Sequence, residues 1–232
     1  MLGDFYLQSS TMAENKDKAF KGLIQHGVLY LVAMVLVIIP IFSWTMLMYA
    51  GVIAVVHFGI DFIKSRLKEK KFMENKKAIT YVTDQILHIA VIAIVTCIIC
   101  NSTNQVEYID WIASIVNKGQ IDVTAIISWL LVVLIIINPV SVTIKTVLNH
   151  YRPEQDEEDG LPNAGALIGV LERGIILVLL IVQQYSAIGF VLTAKSVARY
   201  NKIAEDPKFS EYYLLGTLLS TLLVIVTYLT IL

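Results

Sequence analysis

The chain has 232 residues, of which 56% are hydrophobic and 16% charged, and its formal net charge is −1. Soluble domains carry about 25% charged residues, so the composition argues against a soluble enzyme. The near-neutral balance excludes a global field that recruits polyanions, and two cysteines exclude a disulfide-stapled scaffold.

Residues 1–20 are polar and mixed in charge. They read as a cytoplasmic N-terminal segment rather than a cleaved secretory signal. Thr11-Met12-Ala13-Glu14 fits a capping box that opens a helix. Gly27 to Ile60 then runs without Asp, Glu, Lys or Arg. A bilayer-spanning helix needs about 20 apolar residues, so this run predicts two. Pro40 and Phe42-Ser43-Trp44 divide it. The first helix is expected to end near Ile39 and the second to begin near Thr45. Four more uncharged runs follow: Gln85–Val106, Val123–Ile144, Gly174–Ala194 and Tyr212–Leu232. None shows the period-two alternation of a barrel strand. The expected fold is all-α, a polytopic integral membrane bundle of about six transmembrane helices. It forms a single membrane domain over residues 1–232.

The connections carry most of the charge. The basic loop 64–80 holds Lys64, Arg66, Lys68, Lys70, Lys71, Lys76 and Lys77 against Glu69 and Glu74. Each basic residue near an anionic leaflet contributes roughly 1 kcal/mol, so anionic lipid headgroups are the expected partner. Nucleic acid is disfavoured, because Phe72 is the loop's lone interleaved aromatic. The acidic loop 152–163 reads as a solvated connection, or as a docking point for a cation or basic partner. Basic residues mark the cytoplasmic side. Alternate connections carry thirteen Lys or Arg against five. This places the N-terminus and loop 64–80 in the cytoplasm, in a bacterial inner membrane. Lys195, Arg199, Lys202 and Lys208 fit that map poorly, because they fall on the outer side.

The candidate site lies in spans 2 and 3. His57-Phe58-Gly59-Ile60-Asp61 descends towards the basic loop, and Asp84-Gln85-Ile86-Leu87-His88 climbs back from it. Residues four apart share a helix face. Each Asp therefore sits near the interface and each His roughly 6 Å deeper, at 1.5 Å rise per residue. His26 is expected at a similar depth, and Asp4, Gln8 and His150 on the same side. The set His26, His57, Asp61, Asp84 and His88 offers nitrogen and oxygen donors that suit a divalent transition metal such as zinc, manganese or iron. Two other readings stay open. The residues could form a polar network that packs the bundle, with Asp61 paired to Lys64, or a proton or ion path.

In span 5, Arg173, Gln184 and Lys195 recur every eleven residues. This is close to three helical turns and predicts one polar face. That face is either interior packing or a cationic wall in which Arg173 and Lys195 bind an anionic group. Gly165 with Gly169, and Gly216 with Ser220, are small-xxx-small pairs for internal packing or a homo-oligomer face. Cys97 and Cys100 lie inside an apolar run without a second ligand pair and read as structural.

Several of these residues belong to a wider resemblance. Asp4-Phe5-Tyr6-Leu7-Gln8 with Met12-Ala13 and Lys16, His26, the His57/Asp61 pair and Asp84-Gln85 with His88 resemble a bacterial membrane family of unknown function, the domain-of-unknown-function 3307 family. Later matches include Gly165 to Gly169, Leu171-Glu172-Arg173, Ala187 to Phe190, Ala194-Lys195-Ser196, Arg199, Glu211-Tyr212 and Leu215-Gly216-Thr217, so the resemblance runs over nearly the whole chain. It implies a membrane protein with a shared polar constellation and no established reaction. Family members usually carry a His four positions before the residue matching Asp4. This sequence starts three positions before it, so the constellation is expected to lack that His. The readings that follow are a metal-dependent hydrolase acting on a lipid-linked or phosphate-bearing substrate at the cytoplasmic face, a small transporter or ion-coupled carrier, and a non-catalytic membrane subunit.

Overall fold

A computed structural model describes residues 2–8, 20–68, 77–102, 106–153 and 164–232. Among these residues the secondary structure is helical, with no strand. Six helices or helix pairs are long and apolar enough to cross a membrane: Phe20–Ile41, Trp44–Arg66, Lys77–Asn101, Val123–Tyr151, Ala164–Ile181 and Pro207–Ile231. This is the architecture of a multi-pass membrane protein. The acidic block from Glu154, the centre of the basic loop and the Thr11–Glu14 cap lie outside the described residues. The chain divides into two compact units, Met1–Asp122 and Val123–Leu232.

The first unit holds α1 (Leu2–Phe5), α2 (Phe20–Ile38), α3 (Trp44–Lys68), α4 (Lys77–Asn101) and α5 (Asp110–Gly119). A 3-10 turn over Ile39–Ile41 separates α2 from α3, with Pro40 inside it. Proline fixes φ and lacks an N–H, so it ends the α-helical ladder here. The backbone N–H of Met46 bonds the Ser43 hydroxyl at 3.1 Å and starts α3. The predicted boundaries near Ile39 and Thr45 therefore stand. Tyr30, Ile53 and Val95 bury against one another and hold α2, α3 and α4 together. Two glycines set the approach distances. A Cβ on Gly27 would fall 2.8 Å from Phe58 Cδ2, and one on Gly3 would fall 2.9 Å from Tyr30 Cδ2. α3 and α1 can therefore lie tight on α2.

The second unit holds α6 (Val123–Ile137), α7 (Pro139–Leu148), α8 (Ala164–Ile181), α9 (Tyr185–Val197), α10 (Tyr200–Glu205) and α11 (Pro207–Ile231). Its core is Val132, Ile136, Ile176, Leu177, Leu180, Ile188 and Val224. Pro139 breaks the fourth span into α6 and α7. The run expected as one continuous span over Gly174–Ala194 is also broken. α8 stops at Ile181, and Gln183 adopts φ 58°. The Gln184 N–H bonds Leu179 O at 2.8 Å and the Gln183 N–H bonds Leu180 O at 3.1 Å. This pair of bonds is a Schellman motif, which turns the chain off a helix end. Glycine usually occupies the left-handed position. Here it is glutamine, so nothing in the composition marked the stop.

The break reverses the chain. Lys195 Nζ bonds Glu172 Oε2 at 2.6 Å, so α9 runs back along α8 and returns to the depth of Glu172. Arg173, Gln184 and Lys195 therefore do not share a face of one helix, because Gln184 sits in the turn. α8 and α11 run parallel: Glu172 and Thr217 meet at Lys195, while Leu180 and Val224 share the core. The chain between two parallel helices has to come back, and α9 does so. α11 also runs antiparallel to α7, with Gly216 against Leu148. Arg199, Lys202 and Lys208 thus stand at the end of the unit where α7 finishes. They do not stand at the opposite end of the unit, as a fifth continuous span would have set them.

Gly216 makes an ordinary packing contact and Ser220 is buried, so that small-residue pair packs internally. Gly165 faces open space, and Gly169 leaves room for the Arg173 guanidinium. Cys97 and Cys100 are exposed on α4 and unbonded to each other.

Candidate metal centre

Four helices of the first unit bring five donors to one place. α1 supplies Asp4, α2 supplies His26, α3 supplies His57 and Asp61, and α4 supplies His88. The mirrored spacing does this work. His57 and Asp61 share one face of α3, Asp84 and His88 share one face of α4, and the antiparallel helices turn those faces together. His26, His57 and Asp61 are almost wholly buried, at 1–2% exposure.

Four atoms form the tightest group. His26 Nε2 lies 3.1 Å from Asp4 Oδ1, 3.2 Å from His57 Nε2 and 3.3 Å from Asp61 Oδ2. His57 Nε2 lies 3.4 Å from Asp4 Oδ1 and 3.3 Å from Asp61 Oδ2. Ligands about 2.0–2.1 Å from a zinc ion stand about 3.3–3.4 Å apart when arranged tetrahedrally. The separations within Asp4, His26 and His57, and those within His26, His57 and Asp61, are close to that edge. Among the described residues, Asp4, His26 and His57 form one group able to hold a metal, and His57, Asp61 and His88 form a second.

Packing holds the imidazoles in place. The Tyr30 ring stacks on His57, with centroids 3.7 Å apart and planes 8° from parallel. His57 Nδ1 makes no hydrogen bond, so its ring is oriented by Tyr30 and by the His88 ring, 4.3 Å away on centroids. Tyr30 follows His26 by one helical turn, and that spacing was a signal the motif reading passed over. Asp4, outside the ligand set expected from the sequence, joins His26 and His57 in one group. It reaches the group because Gly3 lets α1 rest on Tyr30.

Asp84 stands beside the group. Its Oδ2 accepts from Lys64 Nζ at 2.7 Å and from Gln85 Nε2 at 3.3 Å, and its Oδ1 lies 3.6 Å from His88 Nε2. Lys64 therefore pairs with Asp84, and Asp61 faces the imidazoles. His150 lies in the second unit, edge-on to Tyr151.

The chain matches the family model described as Protein of unknown function (DUF3307) over residues 1–116, half of its length. The chain belongs to this family. No curated protein and no solved structure matches it. The DUF3307 match ends inside the first unit, so the segment that defines the family is the one that carries the His and Asp centre. The later residues of the resemblance, from Gly165 onward, lie beyond the matched segment.

Those later residues make a different kind of structure. Arg173, 3% exposed, donates from Nε to Ile136 O at 2.6 Å, from Nη2 to Ile137 O at 3.3 Å, and from Nη2 to the Ser141 hydroxyl. These carbonyls end α6 at the Pro139 break, and Ile137 O also accepts from the Ser141 hydroxyl at 2.6 Å. The guanidinium also sits at the negative end of the α6 dipole. Lys195 bonds Glu172 and the Thr217 hydroxyl, the latter at 3.1 Å. The two cations expected to bind an anionic group are thus engaged within the unit.

Proposed function

We propose that this protein is a metal-dependent hydrolase of the membrane surface, acting on a lipid-linked or phosphate-bearing substrate. The group Asp4, His26 and His57 carries the reading, because its spacing suits one divalent ion, and Asp61 lies 3.3 Å from both imidazoles. The nitrogen and oxygen donors favour zinc, manganese or iron over a thiolate-preferring metal.

When bound, such an ion supplies an acidified water and a Lewis acid for a phosphoryl or carbonyl oxygen. The chain's own residues do the rest. His26, His57 and Asp61 hold position from within the bundle. Asp4, 20% exposed, and His88, 13% exposed, border the open side. Lys64, held by Asp84 and 21% exposed, is placed to meet an anionic group. Basic residues crowd the same helix ends, with Arg66 and Lys68 on α3 and Lys77 opening α4. The positive-inside tendency then puts the centre at the cytoplasmic face of an inner membrane.

The test is purification in detergent without chelators, followed by metal analysis and hydrolysis assays on phosphomonoesters, phosphodiesters and lipid phosphates. Bound zinc, manganese or iron with hydrolysis, both lost in His26→Ala/His57→Ala, is the expected result. Protein that folds but binds no metal, or that binds metal and hydrolyses none of the panel, overturns the reading.

An ion-coupled carrier is the second reading. The broken helices α6–α7 and α8–α9 and the buried Glu172–Lys195 pair favour it, because transporters build sites from discontinuous helices. Uptake of a cation into proteoliposomes that is lost in Glu172→Gln would support the carrier.

A further inference from the structure

The Asp61 carboxylate faces two ways. Its Oδ2 lies 3.3 Å from both His26 Nε2 and His57 Nε2, while its Oδ1 lies 4.0 Å from His88 Nε2. His88 Nε2 is in turn 3.6 Å from Asp84 Oδ1. A second donor set, Asp61 Oδ1, His88 Nε2 and Asp84 Oδ1, therefore lies across the same carboxylate from the first. Two atoms that each sit about 2.1 Å from one ion can stand no more than about 4.2 Å apart. Both separations fall within that limit.

Asp84 adds an independent observation. The residue is 7% exposed, and Lys64 and Gln85 both donate to Oδ2. Its Oδ1 is buried and accepts no hydrogen bond. A buried acceptor left without a donor costs about 1–3 kcal/mol. This one is aimed at His88, whose Nε2 at 3.6 Å is too far for a hydrogen bond and well placed for a shared ligand position.

We propose that the centre is dinuclear. A second divalent cation, zinc or manganese, binds between Asp61 Oδ1, His88 Nε2 and Asp84 Oδ1, and Asp61 bridges it to the ion at His26 and His57. The proposal rests on the metal reading above and deepens it. Paired ions about 3.5–4 Å apart clamp both the attacking and the leaving oxygen of a phosphoryl group. Two divalent ions with Lys64, set against Asp4, Asp61 and Asp84, leave a positive excess in the site. That excess selects a phosphate-bearing substrate over a neutral ester or amide.

The experiment is metal titration of the full chain in detergent, with Zn2+ and separately Mn2+ as the probes. The wild type should take up about two ions per chain. Asp84→Asn and His88→Gln should each take up about one, with the tighter ion retained and an unchanged elution profile. Loaded with Mn2+, the wild type should show the paramagnetic resonance signature of a coupled pair, and Asp84→Asn that of an isolated ion. One ion per chain in the wild type, with stoichiometry unmoved by either substitution, overturns the second site and leaves the mononuclear centre standing. No ion in the wild type overturns both.

Discussion

The two units bury ionisable groups among apolar helices and compensate for them in opposite ways. In the second unit each buried charge has a partner of fixed identity. Glu172 holds Lys195, and Arg173 holds the Ile136 and Ile137 carbonyls at the end of α6. These contacts join α6, α8, α9 and α11 and fix a helical hairpin. In the first unit, three imidazoles and two carboxylates form two groups that share His57, and Lys64 holds Asp84 beside them. Side chains that converge within ligand distance can be joined by a cation, whereas paired opposite charges brace the fold. The comparison separates a candidate ligand site from a scaffold built of the same residue types.

The largest expected effect tests the first half of that contrast. Asp61→Ala should abolish metal binding, a loss of 100-fold or more in affinity, while Lys195→Met leaves metal content unchanged; dialysis against a chelator-buffered series measures both. If Lys195→Met also strips the metal, the two units do not divide their roles as described.

Next comes stability. Lys195→Met leaves the Glu172 charge buried alone, and breaking such a pair costs about 3–5 kcal/mol. Adding Glu172→Leu should recover most of that loss, because an apolar pair of similar volume replaces the ion pair. Thermal unfolding in detergent by circular dichroism checks the recovery, and no recovery would mean that Glu172 does more than brace the hairpin. Arg173→Met should cost about 1–3 kcal/mol for the Ile136 carbonyl that loses its donor, again with metal content intact.

A subtler effect is expected at Gly3. A methyl there meets Tyr30, so Gly3→Ala should lift α1 and weaken metal binding several-fold with little change in melting temperature. Equal binding by Gly3→Ala and wild type would remove Asp4 from the ligand set. Smallest of all, Gln183→Gly relieves a left-handed non-glycine residue and should stabilise the second unit by up to about 1 kcal/mol. A destabilised Gln183→Gly would point to a side-chain role for Gln183.

The hairpin also sharpens the membrane map. With Arg199, Lys202 and Lys208 at the α7 end of the second unit, every basic connection except the one holding Lys118 falls on one expected side. Single cysteines introduced at Lys70, Lys118 and Lys202 in a cysteine-free background should label so that positions 70 and 202 agree and 118 differs. Labelling of positions 118 and 202 from the same side would return the last connection to the outside.

The sequence by itself determined the number of apolar helices, the break at Pro40 and the mirrored His and Asp faces of spans 2 and 3. These follow from local rules: a bilayer demands a minimum apolar length, proline interrupts a helix, and residues four apart share a face. Only the tertiary structure decided which groups meet. Asp4 enters the centre because Gly3 allows α1 onto Tyr30. Lys64 meets Asp84, and Asp61 meets the imidazoles. The fifth apolar run folds back because Gln183 takes a left-handed conformation that the Schellman bonds and the Glu172–Lys195 pair hold in place. Such outcomes depend on partners distant in the chain, and no local periodicity carries that information.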